Sequence, residues 1–192
     1  MASKPGERKL QILQTLAGML EKPSAEKITT AALAAKLDVS EAALYRHFAS
    51  KAQMFEGLIG FIEETVFGLV NKITADTQDG VAQAEQTVVM LLSFAEKNPG
   101  MTRVLIGDAL VNENERLQLR INQLHDRLEA TLKQCLRFSV GEKEVPEHID
   151  AAAHANLLLC YVMGRWQQYA KSGFKRDPTE FWAEQWKQLV PA

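Results

Sequence analysis

The chain has 192 residues, 46% of them apolar and 24% charged, with a net charge of −2. That length supplies one good core, or a small module on a larger body, and the composition is that of an ordered globular protein rather than a disordered one. No apolar run is long enough to cross a bilayer, and "MASKPGERKL" at the N-terminus has no apolar stretch behind its charges, so this stretch is not expected to be a secretory signal.

Strand signals are almost absent. Apolar residues recur three and four apart nearly everywhere, so the chain is expected to be all-α with about nine helices. Leu10, Leu13, Leu16, Ala17 and Leu20 form one stripe and predict a first helix over about 7–21, broken at Pro23 and Ser24. Thr29 or Thr30 caps a second helix to about Leu37, Asp38-Val39 is a break, and Ser40 caps a third helix to about Phe48. Ser50 with Gln53 three residues on has the form of a capping box and opens a fourth helix over about 51–73.

"TADTQDG" (74–80) punctuates the pattern before a fifth helix over about 81–97. "NPG" then stops that helix and starts another, with Asn98 as cap and Pro99 at the first helical position. A long amphipathic pattern covers 112–138, "SVGEKEVP" (139–146) is expected to be a loop, and 147–171 is a strongly apolar helix. Asp177, Pro178 and Glu180 then predict the cap and first turn of a last helix that carries Phe181, Trp182, Trp186 and Leu189.

Charge divides unevenly along this chain. Residues 1–60 hold eight Lys/Arg and six Asp/Glu, net +2; the remaining 132 hold fourteen and eighteen, net −4. A mildly basic front on an acidic body suits a small DNA-contacting module joined to a body with another task. Cys135 and Cys160 lie inside helical patterns without metal-like spacing, and read as reduced residues of a cytoplasmic protein.

The second and third helices are two turns each, too short to persist alone. Leu33, Leu37, Leu44 and Phe48 would hold them against the first and fourth helices as a helix-turn-helix, the third helix presenting its start to a DNA major groove. Small Ala42 and Ala43 let that helix approach base edges and meet a thymine methyl. Ser40 and Glu41 stand near the tip for phosphate or base groups. Tyr45 and His47 are placed to donate to phosphates, and Arg46 reaches either backbone or guanine. Lys51 offers a backbone N–H and a free ammonium to a phosphate, and Thr29 and Thr30 offer hydroxyls from the second helix. Against this stands the plainer reading of a solvated, Ala-rich surface helix.

"ITTAALAAKLDVSEAALYRHFASKAQMFEGLI" (28–59) closely resembles the DNA-binding domain of the TetR family, through its small and apolar run, its Val-Ser turn, then "LYRHF" and "SK". The resemblance implies a helix-turn-helix domain over 1–52 and a dimerisation and partner-binding body over 53–192. It implies a homodimer gripping palindromic double-stranded DNA, alone or in higher order. The body stretches "FAEKNPGMTRVLIGDALVNENERLQLRINQLHDRLEA" and "SGFKRDPTEFW" are similar to the nucleoid occlusion branch of that family. That likeness implies a nucleoid-associated protein that, when DNA-bound, antagonises assembly of the tubulin-like division protein FtsZ. FtsZ's C-terminal tail would lie between the fourth and fifth helices on Phe61, Met90, Phe94, Lys97 and Asn98. The N-terminal arm, "MASKPGERK", is shorter and less basic than the branch favours, and would add less phosphate contact.

The dimer face is expected in 147–190, on the stripe Leu157, Cys160, Tyr161, Gly164 and Gln168, with Trp182 and Trp186 at its edge. The alternative is a TetR-type repressor released by a small molecule, with Phe94, Met101, His125 and Trp166 lining a pocket. His125 and His154 have no partner at metal spacing, and no Ser/His/Asp set, phosphate-cradling loop or paired carboxylate stands out. No metal, cofactor or enzymatic activity is therefore expected.

Overall fold

The computed structural model describes residues 5–22, 28–141 and 150–190. The expected break at Pro23 and Ser24, the first four residues of the arm and the heart of the expected 139–146 loop lie outside them. Among the described residues every regular element is helical: α1 (Pro5–Leu20), α2 (Thr30–Lys36), α3 (Glu41–Tyr45), α4 (Lys51–Asp76), α5 (Gly80–Lys97), α6 (Pro99–Leu105), α7 (Glu115–Gly141), α8 (Ala151–Lys171) and α9 (Trp182–Leu189), with a 3-10 turn at Asp108–Leu110.

The helices assemble into two compact units. The first comprises residues 1–62 and 98–121, the second 63–97 and 122–192, so the boundary falls near the middle of α4 and about two turns into α7. The three-helix module expected over 1–52 lies inside the first.

In the first unit the core is built from α1, where Leu13, Leu16, Ala17 and Leu20 of the expected stripe are buried together with Ile12 while Leu10 is 41% exposed, from Leu33 and Leu44 of the two short helices, and from Met54, Phe55, Leu58 and Ile59 of α4, all buried. The buried apolar side chains stabilise α2 and α3 where their own length does not. Gly100, at the start of α6, lies against α1: a Cβ there would collide with the Ala17 carbonyl oxygen and stand 3.2 Å from Leu20 Cβ. Arg103 of α6 fastens the same junction, donating to the Leu20 and Lys22 carbonyls at 3.3 and 3.2 Å while its Nε and Nη2 both reach Asp108 at 2.8 Å. A guanidinium thus satisfies carbonyls that the end of α1 leaves open.

The second unit packs α5 against α8. Trp166 is fully buried and donates through Nε1 to the Leu91 carbonyl at 3.1 Å; Tyr169 donates to the Glu96 carbonyl, in the last turn of α5, at 3.0 Å. Gly80 opens α5 against α7, where a Cβ would meet the Cys135 carbonyl and the Ser139 hydroxyl. Burial pushes the Cys135 thiol above its ordinary pKa, as suits an inert core residue.

Several boundaries differ from expectation, for local reasons. Ser139 is fully buried and donates to the Cys135 carbonyl at 3.1 Å, so α7 runs through it to Gly141 instead of ending in a loop. The long helix expected from 112 starts at Glu115, after Asn112 takes φ 65° and Asn114 Oδ1 accepts from Arg116 N at 3.1 Å. Asp150 caps α8 by accepting from Ala152 and Ala153, and these bonds hold its carboxyl below the usual carboxylate range; 147–149 lie outside the described residues. α3 ends at Tyr45, short of Phe48, and α4 runs on to Asp76.

Asp177 does not cap the last helix. Its carboxylate accepts from Thr179 N and Oγ1, both at 2.7 Å, closing a tight turn. Arg165, buried on α8, holds that turn from below, donating to the Pro178 and Asp177 carbonyls at 2.9 and 2.7 Å. Phe181 then takes φ 65°, a left-handed conformation that a helix cannot continue, so α9 starts only at Trp182.

Candidate nucleic-acid interface

The turn between α2 and α3 is a Schellman motif. Val39 N donates to the Ala34 carbonyl at 3.0 Å and Asp38 N to the Ala35 carbonyl at 3.2 Å, with Asp38 in the left-handed region at φ 54°. Asp tolerates that conformation better than most side chains. The sequence break at Asp38-Val39 is therefore a built corner, and it fixes the angle at which α3 leaves α2.

Both short helices begin on a hydroxyl cap. Thr29 Oγ1 accepts from Ala32 N at 3.1 Å, and Ser40 Oγ accepts from Ala43 N at 3.2 Å. Capping uses a lone pair and leaves each hydroxyl proton to donate, so both residues retain a donor for a phosphate oxygen. Ser50 caps α4 through Gln53 N at 3.2 Å, but Gln53 Oε1 accepts from Ala49 N at 2.9 Å, one residue earlier than in the usual capping box.

Along α3 the side chains sort into two faces. Leu44 is buried and anchors the helix. Ser40, Glu41, Ala42, Tyr45 and Arg46 are exposed, and Ala43 and His47 are half-buried. Tyr45 is 44% exposed, so its ring is not a core group, and its hydroxyl donates to Thr30 Oγ1 at 3.4 Å. Thr30 Oγ1 in turn donates to the Glu41 carboxylate, forming a chain of three side chains across the two helices.

Lys51 departs from expectation. Its ammonium is not free but ion-paired with Glu113, with side chains only 22% and 12% exposed, and it lies 5.6 Å above the Phe55 ring. The donor that remains at this helix start is the Lys51 backbone N–H, which belongs to the first turn and has no carbonyl within the helix to meet. Glu113 lies 62 residues away in sequence, so nothing in the local pattern around Lys51 pointed to it.

The residues expected in other roles fall as follows. Phe61, Met90 and Asn98 are half-buried and Lys97 is exposed. Phe94 is only 7% exposed, a core side chain of the second unit without a free face to offer. On α8, Leu157 is 46% exposed, and Cys160, Gly164 and Gln168 are exposed with it. Tyr161 is half-buried, donates to Gln185 Oε1 at 2.8 Å and packs on Trp182, ring centroids 5.9 Å apart. Burial raises its phenol pKa against the opposing charge of Arg165. Trp182 and Trp186 stack at 5.2 Å beside it. Arg165, Arg103 and Glu113 are the polar anchors that sequence reasoning missed; each acts on a partner remote in sequence or on backbone carbonyls, which leave no motif. Phe94, Met101, His125 and Trp166, expected to line a ligand pocket, are each buried, with His125 and Trp166 in ring contact at 6.2 Å.

Comparison with known proteins agrees with this arrangement. Residues 12–58 match the model described as bacterial regulatory proteins of the tetR family, and residues 78–191 match the tetracyclin repressor-like C-terminal domain. The chain is 52% identical over 185 residues to the nucleoid occlusion factor SlmA of Alteromonas mediterranea, covering 96% of this chain and 95% of that protein. It is 47% identical to the SlmA of Idiomarina loihiensis over the full length of both. Among solved structures, a TetR-family transcriptional regulator from Agrobacterium tumefaciens superposes with a TM-score of 0.81 at 14% identity, covering 97% of this chain and 100% of that one. The fatty acid degradation regulator FadR of Bacillus halodurans superposes with a TM-score of 0.79 at 15% identity, covering 100% and 98%. At such identities the structures speak for the fold alone, whereas the near-full-length relatives speak for kinship: the chain belongs to the TetR family of bacterial regulatory proteins, in the branch of the SlmA nucleoid occlusion factors.

Proposed function

We propose that the protein is a DNA-binding nucleoid occlusion factor. As a homodimer it binds palindromic sites spread over the chromosome; so bound, it antagonises FtsZ assembly and blocks septum formation over the nucleoid. The observation that carries this reading is the extent of the likeness to the SlmA proteins, which at about half identity runs through the body as well as the helix-turn-helix. TetR-type bodies serve many tasks, so kinship confined to the first sixty residues would speak for DNA binding and no further.

The chemistry is compatible at each step. The exposed face of α3 offers small residues for close approach, and Tyr45, Arg46 and His47 for phosphate and base contacts. The exposed face of α8, with Leu157, Cys160 and the side-chain-free Gly164, suits a self-complementary interface about a two-fold axis, which brings two recognition helices to two half-sites. On α5, half-buried Met90 and exposed Lys97 pair an apolar contact with a cation, which suits a tail carrying apolar anchors and an acidic residue. No catalytic residue, cofactor or metal enters the proposal, and its place of action is the nucleoid.

Chromosome-wide occupancy in the native host, by crosslinking and sequencing, tests it. Tens of scattered palindromic sites, sparse near the terminus, are expected. One or two peaks over a promoter beside the protein's own gene would overturn the proposal in favour of a ligand-released repressor.

A further inference from the structure

The chain Tyr45–Thr30–Glu41 assigns Glu41 a role beyond capping. We infer that Glu41 is a specificity-determining residue: its carboxylate disfavours DNA in general and is offset only where a half-site presents a cytosine amino group. The inference rests on the DNA-binding reading above.

The argument starts from proton accounting. A threonine hydroxyl has one proton to give, and Thr30 gives it to Glu41. A tyrosine hydroxyl has one proton, and Tyr45 directs it at Thr30. Two of the hydroxyls that face the DNA side are therefore turned inward while Glu41 stands as the terminal acceptor. A phosphate oxygen accepts only, so it competes with Glu41 for the Thr30 proton and with Thr30 for the Tyr45 proton. It is also of like charge. Glu41 is exposed at the first position of α3, so its charge opposes every phosphate brought within about 10 Å at 0.1 M salt.

This term is independent of base sequence, and it penalises non-cognate and cognate duplexes alike. What distinguishes them is the groove. Among the major-groove edges, cytosine N4 is a donor suited to a carboxylate acceptor. A carboxylate has about four acceptor positions, so it can accept from N4 while keeping the Thr30 bond. A cognate site with cytosine facing Glu41 recovers what other sequences lose. Glu41 also lies in the first turn of α3, where a negative charge favours the helix dipole; that role alone would be blind to DNA sequence.

Glu41→Gln tests the assignment, because the amide keeps an acceptor for Thr30 and removes the charge. The variant and the wild type would each select duplexes from a random pool, and each would then be titrated with its selected palindrome and with random duplex from 50 mM to 400 mM salt. The expected result is a cytosine at one position of each wild-type half-site that is relaxed in the variant. Binding of Glu41→Gln to random duplex should be about three- to tenfold tighter at the lowest salt, the gain fading as salt screens the repulsion. Asp126→Asn, which removes an exposed charge on α7, should give neither effect. An unchanged motif, or equal weakening on all duplexes, would overturn the assignment while leaving DNA binding intact. A wild type that enriches no motif would overturn the DNA-binding reading itself.

Discussion

The ammonium of Lys51, at the first position of α4, is paired with the carboxylate of Glu113 in the segment that leads into α7. Both side chains are largely shielded, and the ammonium also sits over the Phe55 ring, so this is not an incidental surface pair. A phosphate near the start of α4 must compete with Glu113 for that charge. Glu113→Gln should therefore release Lys51 and tighten binding to all duplexes, by about twofold to tenfold. It should also steepen the log–log salt dependence by about one contact, roughly 0.9 in slope. Fluorescence anisotropy over a salt series checks this; an unchanged slope would show that Lys51 takes no part in phosphate binding.

Asp38 holds the corner of the helix-turn-helix at φ 54°. Glycine adopts that conformation without a Cβ penalty, whereas alanine pays it in full. Asp38→Gly should be neutral or stabilising and Asp38→Ala destabilising by about 1 kcal/mol. Thermal melting of the two variants side by side decides the matter. The reverse order would mean that the Asp38 side chain, not its backbone, fixes the turn.

Gly100 is held against α1 by the Ala17 carbonyl. Gly→Ala inside a helix ordinarily helps, by about 0.5–1 kcal/mol. Here the added methyl would push α6 away from α1, so Gly100→Ala should destabilise by about 1–3 kcal/mol, as overpacking does. Gly68 provides the contrast, since a Cβ there meets nothing within 4 Å. Gly68→Ala should stabilise. Urea unfolding of the pair tests this, and equal effects would remove the close-approach argument.

Much of the fold was legible because helical periodicity needs only local sequence. The succession of helices among the described residues, the caps at Thr29, Ser40 and Ser50, and the Pro99 start all follow from residues a few positions apart. What failed were features decided by distant neighbours. Ser139 reads as the start of a loop, yet it is buried and inside α7 because its hydroxyl turns back on the Cys135 carbonyl. Asp177 reads as a helix cap, yet buried Arg165 has taken the surrounding carbonyls and Phe181 interrupts the chain direction. On α3 the sequence reading extended to which residues face outward. The pairings that engage their polar groups, Lys51 with Glu113 and Thr30 with Glu41, join separate segments and were not readable.

The α8 stripe makes the dimer testable. Leu157 and Cys160 are exposed on one chain, so an interface there would bury both. Leu157→Glu should bring the mass in solution from twice 21.4 kDa to one chain, as read by light scattering. Alkylation of Cys160 by a maleimide should be slow in the wild type and at least tenfold faster in that variant. Fast labelling of a dimeric wild type would move the interface elsewhere.

The measurement closest to the central claim is FtsZ assembly itself, followed by sedimentation or light scattering with GTP. Purified protein would be added alone, with its selected palindromic duplex, and with random duplex of equal length. Loss of FtsZ polymer with the palindrome, little loss without DNA, and restored assembly for a Met90→Ala, Lys97→Glu variant that still binds the palindrome are the predicted results. FtsZ polymer unaffected by the DNA-bound wild type would contradict the account.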